Sequence, residues 1–143
     1  MLNKIFIQRK IKLIQEDLEK VAPLAQTPLN NLVQNAVEFA AAERFLERII
    51  TRAVDINRHI IAELGSGNEQ VRQYENSFLY LSNIGVYPQE FAQTIAPSAG
   101  LRNVLVHEYD DVEQKLLYDS LQQALTQYTQ YCRFLLEFLE RTA

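Results

Sequence analysis

Two long stretches of the 143-residue sequence contain neither glycine nor proline, and this feature most restricts the folds available to the chain. One stretch runs from Leu29 to Leu64 and the other from Asp110 to Ala143. Glycine and proline are the residues that break helices most often, so their absence permits uninterrupted helices of many turns. In the first stretch apolar residues return to one helical face, which is typical of amphipathic helices. The sequence therefore predicts an all-α fold.

Prolines, glycines and capping residues divide the chain into segments. The first three predicted helices run from about Asn3 to Val21, from Pro28 to about Leu64 and from about Val71 to Ile84. A short fourth piece begins at Pro88, a further segment runs from Ser98 or Ala99 to about His107, and a long last helix extends from Asp110 to Ala143. Thr27 before Pro28 is typical of an N-cap followed by proline in the first turn, and Asp110 with Glu113 matches a capping box. Short connections favour antiparallel neighbours, so we predict a single domain over 1–143, an up-and-down bundle of four to five helices.

Apolar spacing also predicts which residues form the core. The first helix should bury Ile7, Ile11, Ile14, Leu18 and Val21. The second should bury Leu32, Phe39, Leu46, Ile49, Ala53, Ile56 and Ile60, and the third Phe78 and Leu81. Gly85 follows the third helix, where a C-terminal glycine cap is expected.

Composition restricts the classes of function. The single Cys132 cannot form an internal disulfide, and with only two histidines in the chain no thiolate metal site is expected, nor any other cofactor. No apolar run reaches the roughly 18 to 20 residues of a membrane helix, so we expect a cytoplasmic protein. The formal net charge of -4 supplies no global positive field for nucleic acid. Any contact with RNA must therefore be local.

The segment from Arg102 to Tyr109, RNVLVHEY, contains the residues best suited to chemistry. Asn103 and His107 are four positions apart and share a helix face, and Arg102 can reach the same pocket. An arginine binds phosphate oxygens with its planar fork, whereas a histidine exchanges a proton near neutral pH. In RNA the 2′-hydroxyl can itself attack the phosphate, so these groups suit metal-independent phosphodiester cleavage.

A single imidazole cannot easily act as base and acid in one step, and the segment provides one histidine per chain. A symmetric dimer would bring two copies of His107 to one cleft. Several core positions have an apolar neighbour, such as Leu116 beside Leu117 and Leu136 beside Leu135, which hints at an interface between subunits. We therefore predict a homodimer with the motif at its interface.

This segment resembles the RX4HXY pattern of HepT-type HEPN proteins, the toxin half of the HepT and MntA toxin–antitoxin pairs. The similarity extends to AERFLERIITRAVDINRHIIAELG, which ends at Gly65, and to Tyr74-Glu75-Asn76-Ser77-Phe78, so it covers roughly residues 33–139. The resemblance implies a dimerising helical bundle that cleaves RNA, such as tRNA or mRNA, without a metal. It assigns Arg102 and His107 as catalytic and Asn103 as the residue that orients the site.

The resemblance gives Tyr109 a separate role. In this family the antitoxin is a small nucleotidyltransferase that uses ATP to attach AMP to the tyrosine of the motif, which silences the nuclease. Each AMP would add bulk and a phosphate charge two residues from His107, where it would repel the RNA backbone. The implied partners are an RNA substrate, an MntA-type antitoxin and a second copy of the chain, with dimers able to assemble further.

Three other arginines permit two interpretations. Arg44, Arg48 and Arg52 recur at every fourth position and could contact RNA phosphates or the antitoxin. Neighbouring acids, among them Glu47 and Asp55, equally permit a solvated face of salt bridges. We call these three arginines the arginine stripe.

Structural alternatives also exist for the remaining candidates. Asp55 and His59 could form a second functional pair, although an ordinary hydrogen-bonding role is the commoner one. Arg102 could instead pair with Glu108 or Asp110, while His107 merely caps its helix. The protein would then be a non-catalytic helical subunit that binds a nucleotide or a nucleotidyltransferase.

Overall fold

A computed structural model describes residues 1–65, 73–107 and 114–142, except for the side chains at positions 103 and 105–107. The helices of these residues are α1 (Lys4–Gln26), α2 (Leu29–Gln34), α3 (Ala36–Leu64), α4 (Tyr74–Ile84), α5 (Gln89–Ile95), α6 (Ser98–His107) and α7 (Gln114–Arg141). The all-α prediction is confirmed. Four helices have 11 to 29 residues, and α2, α5 and α6 have 6 to 10.

The long helices α1, α3 and α7 form the frame of the bundle. Along α1, Lys10 bonds Asp55 of α3 and Asp17 bonds Arg52, so residue numbers rise on one helix as they fall on the other. Likewise Gln122 near the start of α7 bonds the Ala25 carbonyl at the end of α1. Helix α1 therefore runs antiparallel to both α3 and α7, as expected for an up-and-down bundle.

The predicted core is confirmed almost residue for residue. All five predicted residues of α1 are buried, together with Leu32 of α2, five residues of α3, and Phe78 and Leu81 of α4. Phe39, also predicted as core, is only half-buried and packs against the edge of the cluster. Spacing of apolar residues was therefore a sufficient guide to the inward face of each long helix.

The prediction for the link between the first two helices was wrong in detail. Helix α1 continues through Pro23 to Gln26, because Ala25 is buried in the core and Thr27 caps the end. The Thr27 backbone N–H and its hydroxyl both donate to the Pro23 carbonyl, so Thr27 is a C-cap rather than the predicted N-cap. Proline removes one hydrogen bond from the helix interior, and the helix nevertheless continues for about one more turn beyond it.

The predicted second helix is divided at Asn35. This residue has an extended backbone, and its side chain accepts a hydrogen bond from the Glu38 amide at 3.1 Å, so it caps α3. Asparagine is among the preferred N-cap residues, and an internal cap of this kind leaves no glycine or proline to reveal it. A short α2 therefore precedes the long α3.

Several other predicted boundaries agree with the structure. Helix α6 begins at Ser98 after Pro97 and ends at His107, and Gly85 caps α4 with a left-handed φ of 92°. The third helix was predicted to begin near Val71, but the Gln73 backbone is extended, with φ of -91° and ψ of 140°, so α4 begins at Tyr74. The predicted capping box of Asp110 and Glu113 lies outside the described residues. In the described part of the chain no helix is both long and apolar enough to cross a membrane.

Candidate functional site

Arg102 projects from the second turn of α6 onto α3 and α4. Its Nε donates a hydrogen bond of 2.8 Å to Thr51 Oγ1 on α3. Its guanidinium carbon lies 5.1 Å from the centroid of the Tyr74 ring, in the first turn of α4. One bond and one cation–π contact therefore hold this half-buried side chain from two neighbouring helices.

The Tyr74 ring has a second cationic neighbour. The guanidinium carbon of the exposed Arg58 lies 4.7 Å from the ring centroid. Neither Arg58 nor Arg102 forms an ion pair with a carboxylate among the described residues. In a chain of net charge -4 this is a local concentration of positive charge. We call Arg58, Tyr74 and Arg102 the arginine–tyrosine cluster.

Buried hydrogen bonds hold the turn of α4 that carries Tyr74. The Ser77 hydroxyl donates to the Tyr74 carbonyl at 2.7 Å and accepts from Asn57 Nδ2 of α3 at 3.1 Å. Asn57 Oδ1 in turn accepts a bond of 2.5 Å from the Tyr131 hydroxyl of α7. Because burial raises the pKa of Tyr131 well above its usual value, this hydroxyl stays a neutral donor. The network connects three helices beneath the arginine–tyrosine cluster.

A second buried contact positions the start of α6. The Ser98 hydroxyl donates to the Ile95 carbonyl at 2.7 Å, which leaves it to accept from the Tyr128 hydroxyl of α7 at 2.6 Å. A mainly apolar cavity of about 300 Å³ adjoins this contact, between α3, α6 and α7, and Leu101 and Val104 of α6 line it. Helix α6 is therefore anchored at its N-terminal end, four residues before Arg102.

The structure describes only part of the predicted catalytic set. Arg102 is placed as above, and the backbone of His107 ends α6. The side chains of Asn103 and His107 lie outside the described residues, as does Tyr109. Glu108 and Asp110, the alternative partners of Arg102, lie outside them too. The proposed roles of Asn103, His107 and Tyr109 therefore stay predictions.

The arginine stripe has carboxylate partners. Asp17 of α1, with a side chain only 2% exposed, lies 2.8 Å from Arg52 Nη1 and 3.3 Å from Arg48 Nε. Arg44 lies 3.2 Å from Glu47 on its own helix and is largely exposed. The acid that binds two of the three arginines thus comes from another helix, not from the neighbours that the sequence suggested. RNA contact by the arginine stripe stays a prediction.

Asp55 and His59 each hydrogen-bond a residue at the N-terminal end of the chain, on or just before α1, and not each other. Asp55 accepts from Lys10 at 3.1 Å, and His59 Nε2 accepts from the Asn3 backbone amide at 2.9 Å. The His59 ring also packs on Phe6, with centroids 5.2 Å apart. These contacts favour the structural interpretation of both side chains. The described residues contain no group of three or more His, Cys, Asp or Glu suited to a metal ion.

Sequence reasoning missed three residues that surround Arg102. Thr51 and Arg58 are seven positions apart on α3, two helical turns, and therefore share a face, which is a usable signal. Tyr74 is the first residue of α4, in a segment already noted for its resemblance. What the sequence does not reveal is that α6 crosses this face of α3 beside the start of α4.

Comparison with solved structures defines the fold. The chain superposes on the Shewanella oneidensis HEPN toxin, solved tri-AMPylated and in complex with an MNT antitoxin, with a TM-score of 0.77 and 19% identity over 91% of this chain and 96% of that one. It also resembles the Bacillus subtilis protein YutE, with a TM-score of 0.82 and 16% identity over 98% and 92% of the two chains. The fold is that of the HEPN proteins.

The sequence comparisons give the family. Residues 14–135 match the family model described as ribonuclease HepT-like. The chain is 33% identical over 140 residues to a tRNA nuclease HepT of Aphanizomenon flos-aquae, which covers 96% of this chain and 92% of the relative. The chain therefore belongs to the HepT-like ribonuclease family.

Proposed function

We propose that this protein is the toxin of a toxin–antitoxin pair and acts as a metal-independent endoribonuclease, with tRNA as the first substrate to test. The proposal depends on how the Arg102 side chain is held and on its lack of a carboxylate partner among the described residues. Its Nε is engaged by Thr51, its plane is supported by Tyr74, and no described carboxylate neutralises it. An arginine held in this way is preorganised for an anion. The HepT tRNA nuclease of Aphanizomenon supports the choice of substrate.

The proposed reaction uses the substrate's own nucleophile. The ribose 2′-oxygen forms a bond to phosphorus while the bond from phosphorus to the 5′-oxygen breaks, which leaves a 2′,3′-cyclic phosphate and a 5′-hydroxyl. His107 of one subunit would take the 2′-hydroxyl proton, and His107 of the second would give a proton to the leaving 5′-oxygen. Arg102 would stabilise the charge that develops on the phosphoryl oxygens, and Asn103 would orient the site.

The same proposal includes the dimer and its regulation. Two copies of the chain would place both motifs in one cleft, and Leu116 and Leu136, 43% and 38% exposed, are apolar residues that such a contact could cover. Tyr109, two residues after His107, would receive AMP from a nucleotidyltransferase antitoxin. The tri-AMPylated state of the Shewanella HEPN toxin supports this mode of control.

Cleavage of a labelled tRNA pool in the presence of EDTA tests the catalytic part. The parent should produce fragments with cyclic phosphate ends, whereas Arg102→Ala and His107→Ala should lose roughly 100-fold or more in rate. Arg133→Ala is the matched control, because Arg133 is exposed on α7 and pairs with Glu137 at 4.0 Å. If Arg102→Ala and His107→Ala cleaved RNA as fast as the parent, the proposal would be wrong.

Labelling with ATP tests the regulatory part. An MntA-type nucleotidyltransferase, supplied with ATP, should add AMP to the parent and stop cleavage. Tyr109→Phe should remain an active nuclease that accepts no AMP at this site. Inhibition of Tyr109→Phe to the same extent as the parent would show that control acts elsewhere.

A further inference from the structure

The arginine–tyrosine cluster contains one residue that the proposed chemistry does not use. Arg58 is exposed, yet its guanidinium group packs on the same tyrosine ring as Arg102, at 4.7 Å and 5.1 Å from the centroid respectively. Carboxylates do pair with most other arginines of the described chain, namely Arg44, Arg48, Arg52 and Arg133. Arg58 and Arg102 therefore stand out as two cations that share a ring and have no described counter-charge.

Two guanidinium groups beside one ring repel each other. The electron-rich face of tyrosine stabilises each cation, but it does not neutralise the pair. Such a pair gains most when anions bind to it, and successive phosphates of a nucleic acid supply more than one anion at close spacing. The formal net charge of -4 means that the rest of the molecule does not supply this attraction.

The two arginines differ in how firmly they are held. Arg102 is half-buried and bonded to Thr51 at 2.8 Å, whereas Arg58 is exposed and its side chain packs on the Tyr74 ring without a hydrogen bond or ion pair to another described residue. A residue that stabilises a transition state has to be fixed, while one that holds a flanking phosphate can adapt. This difference assigns Arg102 to the reacting phosphate and Arg58 to a neighbouring one.

We propose that Arg58 and Tyr74 form, beside Arg102, a subsite that binds an RNA backbone phosphate adjacent to the one that is cleaved. The proposal rests on the proposed ribonuclease function, since it takes Arg102 as the group at the reacting phosphate. Arg58 acts in substrate binding and not in the chemical step. Its loss should raise KM and leave kcat nearly unchanged.

Binding of a fluorescent single-stranded RNA to the His107→Ala protein tests the subsite without cleavage. In this background Arg58→Gln should weaken binding about fivefold. The slope of log Kd against log salt should fall by about 0.7, the contribution of one phosphate contact on a single strand. Arg58→Lys should keep most of the slope, because it keeps the charge.

Arg133→Gln is the matched control, since Arg133 is exposed and also lies over an aromatic ring, 5.4 Å from the centroid of Phe134. The control should change neither Kd nor the slope. If Arg58→Gln behaves like Arg133→Gln, or if it weakens only the binding of the antitoxin, the subsite is refuted. Failure of all variants to bind RNA refutes it too.

The two proposals fail in different ways. If the parent cleaves RNA and Arg58→Gln matches the control in both Kd and KM, only the subsite is wrong. If Arg58→Gln weakens RNA binding with the expected change in slope but the parent cleaves no RNA, the nuclease proposal is wrong and the phosphate contact stands.

Discussion

Replacement of Asp17 by asparagine should strongly destabilise the fold, although Asp17 is far from the motif in sequence. Its carboxylate, 2% exposed, is the shared partner of Arg48 and Arg52 and connects α1 to α3. Asparagine keeps the size of the side chain and removes its charge. Two guanidinium groups would then lie at the helix interface without their anion.

The expected loss in the free energy of unfolding follows from the burial of Asp17, Arg48 and Arg52. Removal of one partner from a buried ion pair costs about 3 to 5 kcal/mol. Arg48 and Arg52 are 33% and 17% exposed, and Arg52 also contacts the Leu13 carbonyl at 3.4 Å, so both can recover some solvation. We therefore expect the lower end, about 3 kcal/mol, or a fall in Tm of roughly 6 to 12 °C for a chain of this size.

Urea unfolding followed by far-UV circular dichroism measures this loss, at one protein concentration so that any dimerisation stays constant. Asp55→Asn is the matched control, since it breaks a pair between the same two helices, with Lys10 at 3.1 Å, but Asp55 is 41% exposed. The control should lose less than about 1 kcal/mol. A loss for Asp17→Asn no greater than that of the control would refute the reasoning.

Two further predictions concern Arg102 and the core. Thr51→Val should lower kcat about tenfold or more with little change in KM, because it removes the acceptor that orients Arg102. Thr51→Ser keeps the hydroxyl and should retain most of the rate. Equal kcat values for the two variants in the RNA assay would contradict this prediction. Burial raises the pKa of the Cys132 thiol to about 12. An unfolded thiol loses its proton at about pH 8.5, so the contribution of Cys132 to the free energy of unfolding should be constant below that pH and fall as pH rises toward 12. Burial raises the pKa values of Tyr87, Tyr128 and Tyr131 as well, so these residues should add to the fall at alkaline pH, which urea midpoints would reveal.

The sequence by itself determined the helical class and the inward face of most helices. Apolar spacing placed residues such as Ile7 and Ile60 in the core, because a helix of fixed pitch presents every third or fourth residue to one side. The end of α4 at Gly85 and the start of α6 after Pro97 were equally predictable, because their backbone requirements are local.

Local sequence signals were less informative about helix boundaries where tertiary contacts or other local signals opposed them. Pro23 predicted an end to α1, but the burial of Ala25 and the cap at Thr27 outweighed it, and these depend on contacts beyond the proline. Asn35 divides the predicted second helix, although asparagine occurs inside helices as well as at their ends. Boundaries of this kind are decided by small differences in free energy between local and tertiary terms.

Tertiary structure alone decided the surroundings of Arg102. The RNVLVHEY segment identified the arginine from its chemistry and its resemblance, but Thr51 is 51 positions away in sequence and Tyr74 belongs to another helix. The same holds for Asp17, whose pairing with Arg48 and Arg52 depends on the antiparallel alignment of α1 with α3. Helix periodicity specifies which face of a helix is apolar, whereas the partners of each charged side chain depend on how the helices cross.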